Sequence, residues 1–172
     1  MSEDEAWMYL QATTMNVWSP RGQTPIVRVD AGRSKAGFYG TLNLKTGQEV
    51  VTRSPVLNAE VTARHLQQGL DAFPQQPILF FWDRAPWHHG EPIQRLLAAN
   101  PRLEIMECPV AAPELNPQEQ VWKQTRRAIS HNHLTPKLPK LADDFEHHLQ
   151  SNTFQSSFLH RYGYDLVCPF LN

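Results

Sequence analysis

The segment PILFFWDR at residues 77–84 is the part of the sequence that decides the fold. Its first six residues, 77–82, form a continuous apolar run of strand length, which is typical of a β-strand buried on both faces of a sheet. The run ends abruptly at Asp83 and Arg84, although a buried carboxylate without a partner costs several kcal/mol. Asp83 is therefore a strand-end cap or an ion-pair partner of Arg84, or it lies at the sheet edge because chemistry requires it there.

Alternating and helical apolar patterns place further elements on both sides of this strand. The predicted strands are 5–12, 36–44, 48–52, 77–82 and 103–110. The predicted helices are 59–73, 92–99, 118–130 and 138–150, and the aromatic segment 154–172 fits no element. Asn58 is the expected N-cap of the first helix, and Asn116 is a candidate cap ahead of Pro117. The order of three antiparallel strands followed by helices and parallel strands predicts an α/β fold of the ribonuclease-H-like type, in which helices flank a mixed sheet.

Length and composition fit one globular protein domain. The chain has 172 residues, which is enough for one full hydrophobic core. We expect a main domain over residues 1–135, with a helix and an aromatic tail at 136–172 that pack on it or extend it. No stretch approaches the roughly 20 apolar residues of a membrane span, and the acidic start MSEDE is unlike a secretory signal, so we expect a cytoplasmic protein. Cys108 and Cys168 lie in apolar stretches and are expected to be buried thiols.

The charge balance allows only local contacts with a nucleic acid. The net charge is −1, whereas dedicated DNA-binding domains are usually strongly basic. Basic residues are the candidates for such contacts, although a solvated surface explains each of them equally well on charge alone. They are Arg21, Lys123, Arg126, Arg127 and the stretch 136–140.

Three carboxylates are candidates for one metal site. Asp4 opens the first predicted strand, and in a ribonuclease-H-like sheet this strand lies beside the strand that ends at Asp83. Glu119 lies one turn into the helix 118–130 and would project over the same sheet edge. Mg²⁺ and Mn²⁺ prefer oxygen ligands, and two such ions roughly 3.5–4 Å apart serve phosphodiester chemistry. Without metal the carboxylates would repel one another, so at least one should have a raised pKa, and metal binding should stabilise the fold.

Three motifs around these carboxylates resemble one known family. They are Asp4-Glu5 with Trp7 and the turn WSPRGQ at 18–23, DRAPWH at 83–88, and PELNPQE at 113–119 with Trp122. The last is the most diagnostic. Together they are similar to the DDE-superfamily transposases of bacterial insertion sequences, in the Tc/mariner-like group, over roughly residues 4–130.

The resemblance implies metal-dependent DNA strand cleavage and strand transfer. It implies Asp4, Asp83 and Glu119 as the catalytic and metal-binding triad, holding two Mg²⁺ or Mn²⁺ ions. The implied partner is DNA, both as transposon ends and as target, at the nucleoid and away from membranes. A homodimer is compatible with this interpretation.

Other residues of the motifs are candidates for supporting roles. His88, Arg84 and Asn116 could orient a metal ligand or contact a phosphate. Weaker candidates for the first metal ligand are Glu3, Glu5 and Asp30.

Departures from the family leave alternatives open. Such transposases usually carry amino-terminal helix-turn-helix domains, which residues 1–172 do not contain, and only MSE precedes Asp4, which would place Asp4 at a frayed strand end. The chain could be a truncated, inactive remnant that acts at most as a DNA-binding or oligomerisation module. A zinc site is disfavoured, because the histidine spacing matches no common zinc pattern. Its ligands would come from His88, His89, His131, His133, His147 and His148.

Overall fold

The computed structural model describes residues 1–24, 26, 33–109 and 112–163, so Asp30, Cys168 and the end of the predicted strand 103–110 lie outside the described residues. The strands are β1 (Ser2–Tyr9), β2 (Lys35–Leu42), β3 (Glu49–Ser54), β4 (Ile78–Trp82) and β5 (Leu103–Glu107). The helices are α1 (Ala59–Ala72), α2 (Glu91–Ala99), α3 (Gln118–Thr125), α4 (Leu138–Ser151) and α5 (Phe158–Arg161). Short 3₁₀ turns at Pro86–His88 and Pro113–Leu115 precede α2 and α3, and a π-helical turn at Arg126–Ser130 follows α3.

The five strands form one mixed sheet in the order β3-β2-β1-β4-β5. The pairs β1–β2 and β2–β3 are antiparallel, whereas β4 runs parallel to both of its neighbours, β1 and β5. A strand between two parallel neighbours is covered on both faces, which explains the uniformly apolar sequence of β4. The predicted ribonuclease-H-like fold is confirmed.

The first strand begins at Ser2, whereas the sequence pattern placed its start at residue 5. Asp4 lies opposite Gly40 of β2 and is 9% exposed, and the N–H of Phe81 in β4 donates to the carbonyl of Met1 at 2.9 Å. The expectation of a frayed Asp4 is therefore wrong, because backbone pairing on both sides holds this end of β1. The polar start of the chain is a poor strand signal, but a central place in the sheet overrides local propensity.

Helices cover both faces of this sheet. On one face, α3 and α4 share a core with β1 and β2 that includes Ala6, Met8, Phe38, Trp122, Leu141 and Phe145. On the other face, α1 and α2 pack against β4 and β5 through Leu66, Leu70, Phe80, Trp82, Ile93 and Leu103. Because α4 packs on the same core as α3, residues on both sides of position 135 contribute to one hydrophobic core. The predicted division of the chain at residue 135 stays a prediction.

The predicted helix 118–130 is divided at Thr125. The π-helical turn Arg126–Ser130 follows, and the N–H of His131 closes it by donating to the carbonyl of Arg126 at 2.8 Å. Thr13, beyond β1, forms an isolated parallel bridge with His131, and its hydroxyl lies 2.5 Å from the ring Nδ1. This long-range contact accompanies the change from α-helix to π-helix, and the helical periodicity of the sequence does not reveal it.

The helix cap at Asn58, the thiol of Cys108 and the membrane-span prediction can also be compared with the structure. Asn58 caps α1 as predicted, because its Oδ1 accepts the N–H of Val61 at 2.9 Å. Cys108 is a buried free thiol, also as predicted. Within the described ranges, no helix combines the length and the apolar character needed to cross a membrane.

A glycine in β2 lets α3 approach the sheet beside Asp4. Gly40 pairs with Asp4, and a Cβ on Gly40 would lie 2.6 Å from the ring of Trp122 and closer still to the side chains of Gln118 and Glu49. Gln118 also donates a hydrogen bond to Glu49 across this point. Because Gln118 and Trp122 both belong to α3, the position of that helix depends on the missing side chain at residue 40.

We expect Gly40→Ala to lower the free energy of unfolding by about 1–3 kcal/mol, the usual cost of overpacking a core, because α3 must move away from the sheet. Denaturant titration followed by circular dichroism measures the change. Gly69→Ala in α1 is the matched control, since a Cβ there would meet only the ring of Phe80, at 3.1 Å, and alanine gains about 1 kcal/mol in helix propensity. Equal stability of the two variants would contradict this account of the packing.

Candidate active site

One cleft of about 370 Å³ gathers acidic side chains from three elements of the fold. Asp4 comes from β1, Asp83 follows β4 directly, and Glu119 lies in the first turn of α3. Arg84 and Asn116 line the same cleft. The structure thus brings together the three carboxylates that the sequence singled out.

The parallel pairing of β1 with β4 places the two aspartates side by side. Ser2 of β1 pairs with Phe81 of β4. Asp4 and Asp83 each lie two residues beyond this pair, on neighbouring segments that run in the same direction. Neighbouring strands are about 4.8 Å apart, and side chains alternate between the two faces along each strand. Asp4 faces the side that α3 covers, where the indole N–H of Trp122 donates to its Oδ2 at 3.2 Å.

The surroundings of Asp4 oppose its ionisation. Burial, followed by the negative charges of Glu119 and Glu5, raises the pKa of Asp4 to about 8. The indole of Trp122 is a neutral donor and does not offset these effects. A cation in the cleft would favour the charged form of this carboxyl, as any opposite charge within a few ångströms does.

Asp83 lies in the opposite kind of environment. A hydrogen bond with His88, and a second from the backbone N–H of Ala85 at 2.8 Å, lower the pKa of Asp83 despite its partial burial. The alternative of an ion pair between Asp83 and Arg84 is wrong, because the Arg84 Nε lies 3.1 Å from the carboxylate of Glu107. Arg84 keeps about half of its side chain exposed at the cleft, where it could reach a phosphate.

Asn116 joins the strand of Asp4 to the helix of Glu119. Its Oδ1 accepts the hydroxyl of Ser2 at 2.5 Å and the N–H of Gln118, the first residue of α3, at 3.1 Å. One buried amide oxygen therefore binds to β1 and to the helix start at once. The N-cap of α3 is Pro117 and not Asn116 as expected, so Asn116 binds the helix start from one residue before the cap.

His88 lies beneath the cleft and not in its lining. Its Nδ1 is 2.8 Å from the carbonyl oxygen of Asp83 and 3.2 Å from the carboxylate, and its Nε2 is 3.1 Å from Glu5 and 3.4 Å from Glu3. Burial acts to lower the pKa of His88, but hydrogen bonds with Asp83 and Glu5 and the charge of Glu3 raise it to about 11.

Glu3 and Glu5, which the sequence suggested only as weaker metal ligands, therefore lie on the face of β1 opposite to Asp4. No pattern in the sequence predicted their contact with His88. The alternation of side chains along a strand starting at Ser2 would have separated them from Asp4, but the predicted strand began at residue 5.

The basic candidates lie outside the cleft lining. Arg21, Lys123 and Arg127 are exposed and Arg126 is half-buried, and no ion pair among the described residues involves these four. In the stretch 136–140, Lys140 pairs with Asp144. The histidines of the alternative zinc site do not gather either. In the described part of the chain, Glu3, Glu5 and His88 are the one group of three or more such side chains whose ligand atoms lie within 4.8 Å of one another. Asp4, Asp83 and Glu119 share the cleft without coming that close together.

Comparisons with known proteins identify the family and the fold of the chain. A family model described as DDE superfamily endonuclease matches residues 2–142. A Mos1 transposase paired-end complex with left transposon end has 13% identity and a TM-score of 0.70, over 96% of this chain and 52% of that chain. A Mos1 mariner paired end complex with Mn has 14% identity and a TM-score of 0.67, over 96% of this chain and 51% of that chain. The catalytic domain of Mos1 mariner transposase has 12% identity and a TM-score of 0.62, over 95% of this chain and 74% of that chain.

The chain spans about half the length of the transposase chains in those complexes. A search of curated proteins found no match. At such low identity the solved structures show a shared fold, that of the mariner transposase catalytic domain. The family model runs from residue 2 to residue 142, beyond the 4–130 that the motifs covered, and includes all three cleft carboxylates. The chain belongs to the DDE superfamily of endonucleases.

Proposed function

We propose that this chain is the metal-dependent catalytic domain of an insertion-sequence transposase that cleaves DNA strands at element ends and joins them to target DNA at the nucleoid. The gathering of Asp4, Asp83 and Glu119 in one cleft carries the proposal. Hydrolysis of one phosphodiester frees a 3′ hydroxyl, whose attack on a second phosphodiester exchanges bonds of the same type and needs no external energy source. The shared fold with a transposase solved in complex with a transposon end supports DNA as the substrate.

The donor set of the cleft fits Mg²⁺ or Mn²⁺. Carboxylate oxygens are the ligands that these hard cations prefer, and Mos1 structures have been solved with each of the two metals. Burial raises the pKa of the Cys108 thiol, which also lines the cleft, so this sulfur stays protonated and is a poor ligand. Two bound ions would supply the positive charge that stabilises the attacking and leaving oxygens of a phosphodiester.

The residues around the cleft hold the three carboxylates in defined places. Trp122 orients Asp4 through its indole N–H, and the backbone N–H of Ala85 holds one oxygen of Asp83. Glu119 lies in the first turn of α3, where the positive end of the helix dipole favours a carboxylate. Asp4 and Asp83 are thereby oriented by donors other than a metal.

Local cations would hold the DNA backbone. Arg84 lies in the cleft lining itself, and exposed Lys123 and Arg127 lie on α3 and the turn that follows it, on the same segment as Glu119. Contacts from such side chains to phosphate oxygens position a duplex without reading its sequence. They are compatible with a net charge of −1, because binding depends on a few close contacts.

We expect the purified chain to nick supercoiled plasmid DNA in Mn²⁺ or Mg²⁺ and not in EDTA. Asp83→Asn should lower the nicking rate by about 100-fold or more, since even outer partners of metal ligands are worth 10–100-fold. Asp71→Asn is the matched control, because Asp71 is an exposed carboxylate on α1 that bonds to Gln67. Undiminished nicking by Asp83→Asn would sink the assignment. Metal binding by the parent chain without any nicking would favour the inactive-remnant alternative.

We expect the contribution of Asp4 to the stability of the metal-free chain to fall as pH rises from about 4 to about 8. Asp4 has an ordinary pKa of 3.8 and a folded pKa of about 8, so the folded state binds the extra proton in this window and loses that advantage as pH rises. Asp4→Asn should therefore be more stable than the parent at pH 8 by about 2 kcal/mol or more, measured by denaturant titration in EDTA.

Mn²⁺ at pH 8 should raise the Tm of the parent chain and raise that of Asp4→Asn much less. A parent and an Asp4→Asn variant with the same pH profile would show that Asp4 is not held in the environment described. Equal stabilisation of both by Mn²⁺ would remove Asp4 from the metal ligands.

We expect Lys123→Gln and Arg127→Gln each to weaken binding to duplex DNA without a change in sequence preference. If each side chain contacts one phosphate, the slope of log K against log salt should fall by about 0.9 per substitution. Fluorescence anisotropy over a salt series measures both quantities. Arg95→Gln is the control, because Arg95 lies on α2, where it pairs with Glu60 and Glu91. Slopes that match the control would place the DNA elsewhere.

A further inference from the structure

We propose that Glu5, acting through His88, is a positioning residue for Asp83. This inference rests on the proposed function, because it concerns Asp83 as a metal ligand. It assigns a role to a buried cluster on the face of β1 opposite to Asp4, where Glu3, Glu5 and His88 each have a side chain no more than 2% exposed.

His88 connects β1 to Asp83 through both nitrogens of its ring. Nδ1 faces the carbonyl oxygen and the carboxylate of Asp83, at 2.8 and 3.2 Å, and Nε2 faces the carboxylates of Glu5 and Glu3, at 3.1 and 3.4 Å. Every one of these partners is an acceptor, so both ring nitrogens donate. The indole of Trp82 stacks on the ring at a centroid distance of 4.3 Å and an angle of 4°, which fixes the ring plane.

Asp83 needs such support because of where it lies. It follows the last residue of β4, and its side chain is 55% exposed, so neither the sheet nor burial fixes its rotamer. The backbone N–H of Ala85 holds the carboxylate from within the same loop. His88 adds a second donor that Glu5 anchors to the central strand, and groups that orient a ligand in this way raise its affinity for metal.

The same cluster has the make-up of a metal site in its own right. One ligand atom from each of Glu3, Glu5 and His88 lies within 4.8 Å of the others, and neither oxygen of Glu3 has a hydrogen-bond partner. The Nε2 of His88, however, lies 3.1 Å from Glu5, which is the distance of a hydrogen bond, and 3.4 Å from Glu3. Burial, followed by the charge of Glu5, raises the pKa of Glu3. Because His88 already donates to Glu5, the geometry favours hydrogen bonding over metal binding in this cluster.

Calorimetric Mn²⁺ titration of the full chain, combined with nicking rates over a series of Mn²⁺ concentrations, tests the inference. Glu5→Met, which keeps the size of the side chain but removes the acceptor, should raise the Mn²⁺ dissociation constant about 10–100-fold. The nicking rate at saturating Mn²⁺ should change far less, because Asp83 itself is intact. Glu5→Gln keeps an acceptor oxygen, so it should give a smaller rise in the same direction, and it serves as the test if Glu5→Met does not fold.

His65→Asn is the matched control. His65 is as buried as His88 and also uses both ring nitrogens, which lie 2.8 Å from the hydroxyl of Thr41 and 2.7 Å from that of Thr52, but none of its hydrogen bonds involves Asp83. The substitution should lower the Tm and leave the Mn²⁺ dissociation constant unchanged. This comparison separates the loss of a buried histidine network from the loss of support for Asp83.

Each outcome decides the matter. If the parent chain binds no Mn²⁺ and nicks no DNA, both the proposed function and this inference are wrong. If the parent binds Mn²⁺ and the Glu5 variants bind it with the same affinity, the positioning role is overturned and the proposed function stands. If Glu3→Gln and Glu5→Met each reduce the number of bound ions by one, the cluster is itself a metal site, and the positioning role is again overturned.

Discussion

Repulsion among carboxylates is the constraint on which the rest of this structure depends. Glu3, Asp4 and Glu5 are consecutive on β1, the central strand of the sheet, and Asp83 lies beside them at the end of β4. Because side chains alternate along a strand, Asp4 lies on one face of the sheet, and Glu3 and Glu5 lie on the other. His88 then places a positive charge between Glu5 and Asp83, where two negative charges would otherwise face each other across the strand.

The packing around the site keeps α3 close to β1 so that Glu119 can join the cleft. Gly40 leaves room for Trp122 and Gln118 on the sheet surface, and Asn116 binds both Ser2 and the first turn of the helix. These contacts lie directly beside Asp4, so the elements that bring the carboxylates together also stabilise the fold. A change that loosens α3 would therefore act on the geometry of the cleft as well as on stability.

The sequence predicted the parts of this structure that local patterns encode. The apolar run of β4, the period of α1 and its cap at Asn58 specify single elements, and their order specifies the sheet. Asp83 and Glu119 could be assigned because each belongs to a recognisable motif next to a complete element. The start of β1 was predicted too late, because its first residues are polar and show no apolar strand pattern. They are buried only because neighbouring elements of the fold cover them.

The bonds from Glu5 through His88 to Asp83 could not be predicted for a related reason. They require the register of β1 against β4, which brings residues more than seventy positions apart into contact. The division of the helix after Thr125 is likewise accompanied by a bridge between Thr13 and His131. In each case the deciding interaction is tertiary, so the residues involved carry no signal within their own segment.

Two adjacent aspartates with opposite pKa shifts show that surroundings, and not proximity alone, decide ionisation in this cleft. Asp83 is half exposed and receives hydrogen bonds from a backbone N–H and a charged imidazole, so its carboxylate is stabilised. Asp4 is buried, with a neutral indole as its donor and Glu119 and Glu5 nearby, so its proton is retained to about pH 8. Without a cation in the cleft, the two aspartates are therefore not ionised together near neutral pH. Ionising Asp4 before Asp83 would instead leave the buried carboxyl charged without a charged donor or a cation beside it, which is the more costly arrangement.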